Sequence, residues 1–524
     1  MTANVSPEVV FEFLDEIEGA FRLTVWSDAA SSPLSLDTSE GACPLLRAGG
    51  GMLSAKLRFK AGSGWVRLSA TGGISAKVGQ FFPCGRVYRH SSCRVGNLVV
   101  RWVGDRLVFE RTSAIRMAWR RLRFLVELAC SRDKGARKAA VVRVVVAACR
   151  LLRRRRLWLV SDRLDSGGDS GEVLFRFLRR NLPDVDVRFV VSRGAPSFAS
   201  LAEAGPVVPA ESPRRKLLTL LADLLISSQA ERAFSNPFAG YSEPYRDLLA
   251  GIPLVFLQHG VIKDDLSAVL GRRERNFSGF VVSAVRERDS VLNGSYGYDA
   301  ESVWLTGLPR FDLLESRPER RILVMPTWRL GLLSDRNEAT ERWALKDGFR
   351  ESEFFRFYSA LLSDERLLNA CRRNGYGISL VLHPNLAAAR DDFQANDVVE
   401  VDDGGTSYGR WFAIGSLLVT DYSSTAFDFA YLRKPVVYAQ FDADSFFAGG
   451  HTYGKGYFDY SSDGFGEVET TLDSTVARII GYLESGCALK AEYRRRIDGF
   501  FAYADRENCR RVTAKVVELA GGVS

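Results

Sequence analysis

The sequence predicts an α/β fold: two successive doubly wound, Rossmann-type units with a cleft between them, preceded by a small β-rich N-terminal domain. Three observations carry this. From Leu157 onward, short apolar runs alternate with helical patterns, as in a parallel sheet covered by helices. The series restarts after the polar stretch Glu315–Arg321. Before residue 116 the runs are shorter, partly alternating, and separated by turn residues.

The elements follow in order. Residues 1–115 hold strand candidates Phe21–Trp26, Ala55–Phe59, Trp65–Ala70 and Leu98–Trp102, with Gly104-Asp105 as a hairpin turn. Residues 116–156 read as a basic helical linker. Residues 157–315 form the first α/β unit. Its strand candidates are Leu157–Val160, Val187–Val191, Leu224–Ser227, Leu254–Leu257, Gly279–Ser283 and Val303–Thr306. The turn after the first strand leads into a helix over Val173–Arg180, and Asp169 with Glu172 predicts a capping box there. Residues 316–524 form the second unit, with strands Ile322–Met325, Ile378–Leu382, Val398–Val401, Leu417–Thr420 and Val436–Tyr438, then an Arg-rich helical segment over Glu492–Leu519. Two such units around a cleft outline a GT-B-like transferase.

Composition excludes several classes. An apolar content of 46% fills several cores, and 17 Pro and 46 Gly are too few for bulk disorder. The eight cysteines are scattered without C-x-x-C spacing, which argues against a structural zinc or a redox dithiol and predicts reduced thiols in the cytoplasm. Met1–Val10 lacks a basic n-region and a long apolar core, so no signal peptide is expected. No run of about 18 apolar residues is present to span a bilayer. The net charge of +8 is concentrated: Arg116–Arg156 carries fourteen basic and two acidic residues, net +12, leaving −4 elsewhere. Trp119, Leu122, Leu125, Val126 and Ala129 recur among these charges at helical spacing. A basic amphipathic helix suits an anionic membrane surface; the plainer reading is a solvated linker helix packed on its own domain. No nucleic-acid partner is expected.

The strand ends supply the candidate site, because open α/β sheets bind ligands outside the carboxyl ends of their strands. Only four histidines occur, and two stand at strand ends. His259, in Gln258-His-Gly, is placed to act as general base, with Gly260 giving room and Lys263 a positive charge for phosphate. His383, in His-Pro-Asn385, is held extended by Pro384 and can donate to a phosphate oxygen. Ser423 and Ser424 lie where a strand meets a helix, a place for an anion or for ordinary capping. Asp428 lies further into that helix, facing ligand hydroxyls or pairing with Arg433. Pro326-Thr327-Trp328-Arg329 and Pro309-Arg310 end two more strands, and arginine offers a bidentate contact to phosphate. Asp442-Ala-Asp444 resembles a metal-binding D-x-D triplet, a pattern frequent by chance, so no metal site is assigned. His90 reads as a surface residue and His451 as a loop residue. P-loop, H-E-x-x-H and G-x-S-x-G motifs are absent.

Seven ordered blocks between Leu157 and Glu467 resemble the CDP-glycerol glycerophosphotransferase family of teichoic acid synthesis. They are Ser161-Asp-Arg with Gly168–Glu172; Phe256–Lys263 with Asp265-Leu-Ser267; Thr306–Arg310; Met325–Arg329; Leu382–Asn385; Thr420–Ser424 through Lys434-Pro435; and Gly456–Tyr460 with Asp463–Glu467. The resemblance implies a GT-B fold and transfer of glycerol phosphate from CDP-glycerol, releasing CMP. It implies that His259 is the base toward the acceptor hydroxyl. It implies that His383, Ser423 and Ser424 hold the pyrophosphate, with Arg310 and Lys263 nearby. Thr327 and Trp328 match the nucleotide-side loop, and Asp428 a ligand-contacting acid. Ser170 stands where the family often has Asn.

The expected partners are therefore CDP-glycerol, a lipid-linked polyol-phosphate acceptor and an anionic membrane surface, with the protein peripheral on the inner face of the cell membrane. No resident cofactor is expected, and a divalent metal requirement is left open. Three alternatives remain at this point. One is a CDP-ribitol or other CDP-polyol phosphotransferase. Another is a GT-B nucleotide-sugar glycosyltransferase. The third is a silent scaffold that binds polyanionic lipid through the basic segment.

Overall fold

The computed structural model describes residues 9–522, apart from 18–19, 28–33, 50–51, 59–62, 70–75, 96–97, 239, 335–343, 405 and 447–453. His451 lies outside the described residues.

The N-terminal region is two facing sheets. Strands β1 (Val9–Ile17), β2 (Ala20–Ser27), β5 (Leu46–Gly49), β6 (Met52–Leu57) and β8 (Ala76–Val78) make the first, in the order β5-β6-β2-β1-β8. Strands β3 (Ser35–Thr38), β4 (Gly41–Pro44), β7 (Gly64–Ser69), β9 (Cys93–Val95), β10 (Leu98–Val103) and β11 (Arg106–Arg111) make the second, in the order β4-β3-β7-β11-β10-β9. Inward side chains of both share one core: Phe11, Leu23 and Val25 meet Leu36, Val100 and Phe109. The expected Gly104-Asp105 hairpin joins β10 to β11, with Gly104 at φ 60°. Arg273 and Arg272 tie this domain to the next by pairing with Glu12 at 3.1 Å and Asp15 at 2.9 Å.

The basic segment is a helical hairpin rather than one helix. Helix α1 (Ala114–Ala129) is capped by Ser113, and α2 (Lys134–Leu152) by Asp133. The break falls at Cys130–Asp133, where residues with turn and capping preference interrupt the apolar pattern.

The first α/β unit is a seven-stranded parallel sheet. Its strands are β12 (Leu157–Ser161), β13 (Asp186–Val191), β14 (Val207–Pro209), β15 (Leu224–Ser227), β16 (Leu254–Phe256), β17 (Gly279–Val282) and β18 (Val303–Leu305), in the order β14-β13-β12-β15-β16-β17-β18. The second has β19 (Arg321–Val324), β20 (Gly377–Leu380), β21 (Val399–Val401), β22 (Gly415–Thr420), β23 (Val436–Ala439) and β24 (Gly466–Glu469), in the order β21-β20-β19-β22-β23-β24. In each, the order reverses beside the first strand, the switch point at which doubly wound sheets open a crevice. The fold is thus the expected GT-B-like pair with its β-rich N-terminal region. β14 and β24 were missed because Val207–Pro209 ends in proline and Gly466–Glu469 carries two acids. Both are edge strands, where such residues are tolerated.

One apolar cluster runs through both units, joining Val160 and Leu257 of the first sheet to Met325, Leu418 and Phe427 of the second. The C-terminal helical segment is broken, into Ala491–Phe500 and Asn508–Gly522. The last helix leaves the second unit. Its Cys509, Val512 and Val516 pack in the cluster with Leu174, Leu178 and Phe311. Asp312 accepts from the Asn508 and Cys509 N–H groups at 2.9 and 2.7 Å, which caps that helix. Residues 508–522 therefore belong structurally with the first unit, not with the second as the 316–524 division has it.

Candidate functional site

His259 follows β16 on an unusual piece of backbone. Gln258, fully buried, has φ 62°, a left-handed conformation that costs a non-glycine residue about 1–3 kcal/mol. Gly260 follows and lies against the second unit: a Cβ there would stand 2.6 Å from Ser424 Oγ. Any larger residue there would have to push the Ser424 side chain aside. The His259 side chain is reached from the cleft, while protein surrounds its other sides. Burial lowers its pKa below the ordinary 6.5. Asp169 opposes this, Arg163 and Arg310 add to it, and a hydrogen bond to the Ser228 backbone favours the charged form. The net effect keeps the imidazole neutral near pH 7, the state a general base needs.

Arg310 joins three parts of the site. Its Nε and Nη2 both donate to Asp428 at 2.7 Å, and its Nη1 donates to Asp169 at 3.1 Å and to the His259 carbonyl. Asp428 is buried, and burial raises its pKa against the pull of Arg310. This corrects two expectations. The fork of Arg310 is filled by carboxylates rather than open to phosphate. Asp428 is not an open acceptor at the helix mouth, nor does it pair with Arg433, which goes to Asp498 at 2.9 Å. The buried Asp428 carboxylate is matched by a desolvated cation, Arg310.

The expected capping box is met at one end only: Asp169 is the N-cap residue, and its carboxylate accepts from the Ser170 N–H at 2.7 Å. Helix α3 (Ser170–Asn181) starts one turn earlier than expected, and buried Asp162 holds further N–H groups at its start. Asp162 accepts from the N–H groups of Asp169 at 3.0 Å, Gly171 at 2.7 Å and Glu172 at 3.0 Å. Glu172 turns instead to Arg176, at 2.9 Å. Burial, with Asp169 adding, pushes the Asp162 carboxyl up to about 7.

The second unit presents the remaining residues from the ends of β19, β20 and β22. The Thr327 N–H donates to Asp421 at 2.9 Å, while its Oγ1 is buried without a hydrogen-bond partner among the described residues. An orphaned hydroxyl in a site loop is what a ligand would satisfy. Trp328 and His383 face each other, ring centroids 6.2 Å apart. His383 Nδ1 accepts from the Asn385 N–H at 3.2 Å, so the neutral ring carries its proton on Nε2. Ser423 Oγ accepts from the Thr425 N–H at 3.2 Å, whereas Ser424, at the N-cap of the helix Thr425–Tyr431, makes no side-chain cap bond.

Lys263 is buried, paired with Asp264 and placed over the Tyr460 ring at 5.5 Å. Burial lowers its pKa, and Asp264 resists the shift. Its expected phosphate contact is therefore preceded by a carboxylate. The segment Gly454–Tyr460 crosses from the second unit to cover this loop, bridging Gly454 to Asp265. Lys434 is structural: its Nζ donates at 2.7 Å to the carbonyls of Phe412, Ala413 and Gly415. Asp442 of the D-x-D triplet is held by Arg329 at 2.8 Å, which also pairs with Asp421 at 2.9 Å. Among the described residues, no three His, Cys, Asp or Glu side chains converge on a metal-sized site.

The structure thus brings His259, Gly260, Arg310, Asp428 and Ser424 together across the cleft, and Thr327, Trp328 and His383 on its second wall. Asp162, Asp169 and Asp421 had gained no role as ligands in the sequence, and Arg329, expected at a phosphate, is instead paired with Asp421 and Asp442. Asp162 was signalled by its place directly after the first strand and by the Ser161-Asp-Arg block.

The family model for CDP-glycerol:poly(glycerophosphate) glycerophosphotransferase matches residues 142–518. The minor teichoic acid biosynthesis protein GgaB of Bacillus subtilis is 33% identical over 421 residues, 79% of this chain and 46% of its own length. The teichoic acid poly(ribitol-phosphate) polymerase of Bacillus spizizenii is 24% identical over 36% of this chain and 30% of its own length. The poly(glycerol phosphate) polymerase of Staphylococcus epidermidis is 25% identical over 44% and 31%. The chain spans less than half the length of these relatives. The solved wall teichoic acid polymerase TagF matches with a TM-score of 0.52 at 14% identity, over 78% of this chain and 99% of that one, a likeness of fold. The chain belongs to the CDP-glycerol:poly(glycerophosphate) glycerophosphotransferase family.

Proposed function

We propose that the protein transfers glycerol phosphate from CDP-glycerol to a hydroxyl of a lipid-linked, teichoic-acid-like or capsular acceptor, releasing CMP. The observation that carries this reading is the juxtaposition of a neutral, cleft-facing His259 with Ser424 of the opposite unit, through Gly260. The acceptor hydroxyl loses its proton to His259 as its oxygen attacks the phosphorus bearing glycerol. The anhydride bond to the CMP phosphate breaks, and CMP leaves. Phosphoryl transfer needs positioning and charge stabilisation more than covalent help. His383 Nε2, Ser423, Ser424 and the Thr327 hydroxyl are the donors for the pyrophosphate oxygens in this scheme. Lys263 and Arg310 supply positive charge beside them, each tempered by its carboxylates. Asp428 acts through Arg310. Trp328 offers a face on the nucleotide side. The bonds exchanged belong to donor and acceptor, so the scheme uses no resident cofactor and no nucleic acid.

No helix among the described residues is long and apolar enough to cross a membrane. The proposed place of action is the inner face of the cell membrane, reached through α1 and α2. Both helices leave apolar side chains exposed among cations, with Trp119 60% and Leu151 87% exposed. This feature favours a lipid-linked acceptor over a soluble one.

The direct test is CMP release from labelled CDP-glycerol, CDP-ribitol and nucleotide sugars with a glycerol phosphate-primed lipid acceptor. CDP-glycerol turnover is expected. Turnover of CDP-ribitol alone moves the assignment to the ribitol donor. Consumption of a nucleotide sugar alone makes it a glycosyltransferase, and no turnover at all overturns the enzyme reading. In the same assay Gly260→Ala is expected to lower kcat about 10-fold, since its Cβ would displace Ser424 and misplacements of this size are costly. Full activity of G260A would mean that the two loops need not touch.

A further inference from the structure

Beneath the base loop sits a carboxylate that the sequence did not mark. Glu287 lies on the helix Val285–Asn293, in the stretch Ala284-Val-Arg-Glu-Arg288, and is fully buried. Its Oε1 accepts from the Ile262 N–H at 2.8 Å and from Gln258 Nε2 at 3.1 Å. Its Oε2 accepts from the Ser283 N–H at 2.7 Å and from Ser283 Oγ at 3.0 Å. The described residues include no ion-pair partner for it. Three of the four contacts are N–H donors and the fourth is a hydroxyl, a set that suits the ionised carboxylate and opposes the upward pull of burial on its pKa.

Two of these donors flank the base. Gln258 immediately precedes His259, and Ile262 follows it three residues later. Glu287 therefore grips both ends of the loop that carries His259 and Gly260. The Gln258 side-chain amide also donates to the Val281 carbonyl of β17, which anchors it to the sheet. The left-handed backbone of Gln258 persists only if the surroundings over-determine it. The hydrogen bonds to Glu287 and β17 supply that constraint.

We propose that Glu287 is a positioning residue for the reaction: its carboxylate sets the Gln258–Ile262 loop and so aims the His259 ring at the acceptor hydroxyl. This rests on the role of His259 proposed above. Glu287→Gln tests it, because the amide keeps the size but sets an NH2 group against an N–H donor. In the CMP-release assay E287Q is expected to lower kcat about 30- to 100-fold, as for a catalytic group displaced by less than a bond length. The donor KM is expected to stay within about threefold, since the pyrophosphate wall is untouched. In a His259→Ala background, E287Q is expected to add no further loss, the mark of two residues acting as one unit. Glu287→Asp is expected to recover part of the activity, because it restores four-acceptor character at shorter reach. Wild-type-like kcat in E287Q, or losses that multiply in the double variant, overturn the inference. If E287Q does not fold, Ser283→Ala, which removes one of the four donors, replaces it and must show the same non-additivity with His259→Ala. A wild-type protein that releases no CMP overturns the proposed function instead, so the two failures are distinguishable.

Discussion

His259→Ala is expected to lower polyol-phosphate transfer about 10²- to 10⁴-fold, the usual contribution of a general base. Binding of the CDP-polyol is expected to survive, because the proposed donor contacts, Thr327, Trp328, His383, Ser423 and Ser424, lie on the other unit. The pH profile makes the assignment sharper. Burial lowers the His259 pKa below 6.5, so the neutral form is retained further into acid than an ordinary histidine would allow. The sign follows: kcat/KM stays level above that lowered pKa and falls as pH drops through it. The acid limb should therefore lie below pH 6.5, and the alanine variant should lack it. A limb near the ordinary histidine value, unchanged in H259A, would assign the proton transfer to another group. Asp162, in the first unit, is another titrating group, with its carboxyl pushed up to about 7. Its oxygens are committed to three backbone N–H groups, which makes it a poor proton acceptor for an acceptor hydroxyl.

The fold was legible because parallel strands are buried on both faces and announce themselves as apolar runs. Strand Leu224–Ser227 matches its expectation at both ends, and most others shift by a residue or two. What the runs do not encode is where a terminal helix goes. Asn508–Gly522 returns to the first unit because Asp312 caps it there, a partnership across nearly two hundred residues. The site was legible by position, since strand ends nominate residues, but not by partnership. Arg310 and Asp428 were each recognisable as polar groups near a ligand. That they neutralise one another across the cleft depends on two units meeting, which no local pattern records. Glu287 was invisible for a related reason. Its sequence neighbours Arg286 and Arg288 make the stretch look like a solvated helix face, while the residue itself points into the protein.

The basic hairpin carries the second large expectation. Ile115, Trp119, Leu122 and Val126 form one stripe along α1, and all four are exposed. Phe124 and Leu128, on the other side, pack against the domain. A linker helix packed only on its own fold would need just the second face. The cations divide in the same way. Arg120, Arg143 and Arg153 pair with Glu110, Asp247 and Asp223, and Arg156 donates to the Ala520 carbonyl. Arg121, Arg123, Arg154 and Arg155 are exposed and make no ion pair among the described residues. Each cation near an anionic bilayer contributes about 1 kcal/mol, so replacing these four by Gln should weaken binding to phosphatidylglycerol-containing vesicles about 10³-fold at low salt. The difference should shrink as salt screens the surface charge. Trp119→Ala should weaken binding by an amount that salt leaves unchanged, because its contribution is apolar. CMP release with a short water-soluble acceptor should remain unchanged in both variants, since neither touches the cleft. Equal vesicle affinity of the fourfold variant and the wild type would remove these helices as the membrane surface. The lipid-linked acceptor would then have to be reached through another face.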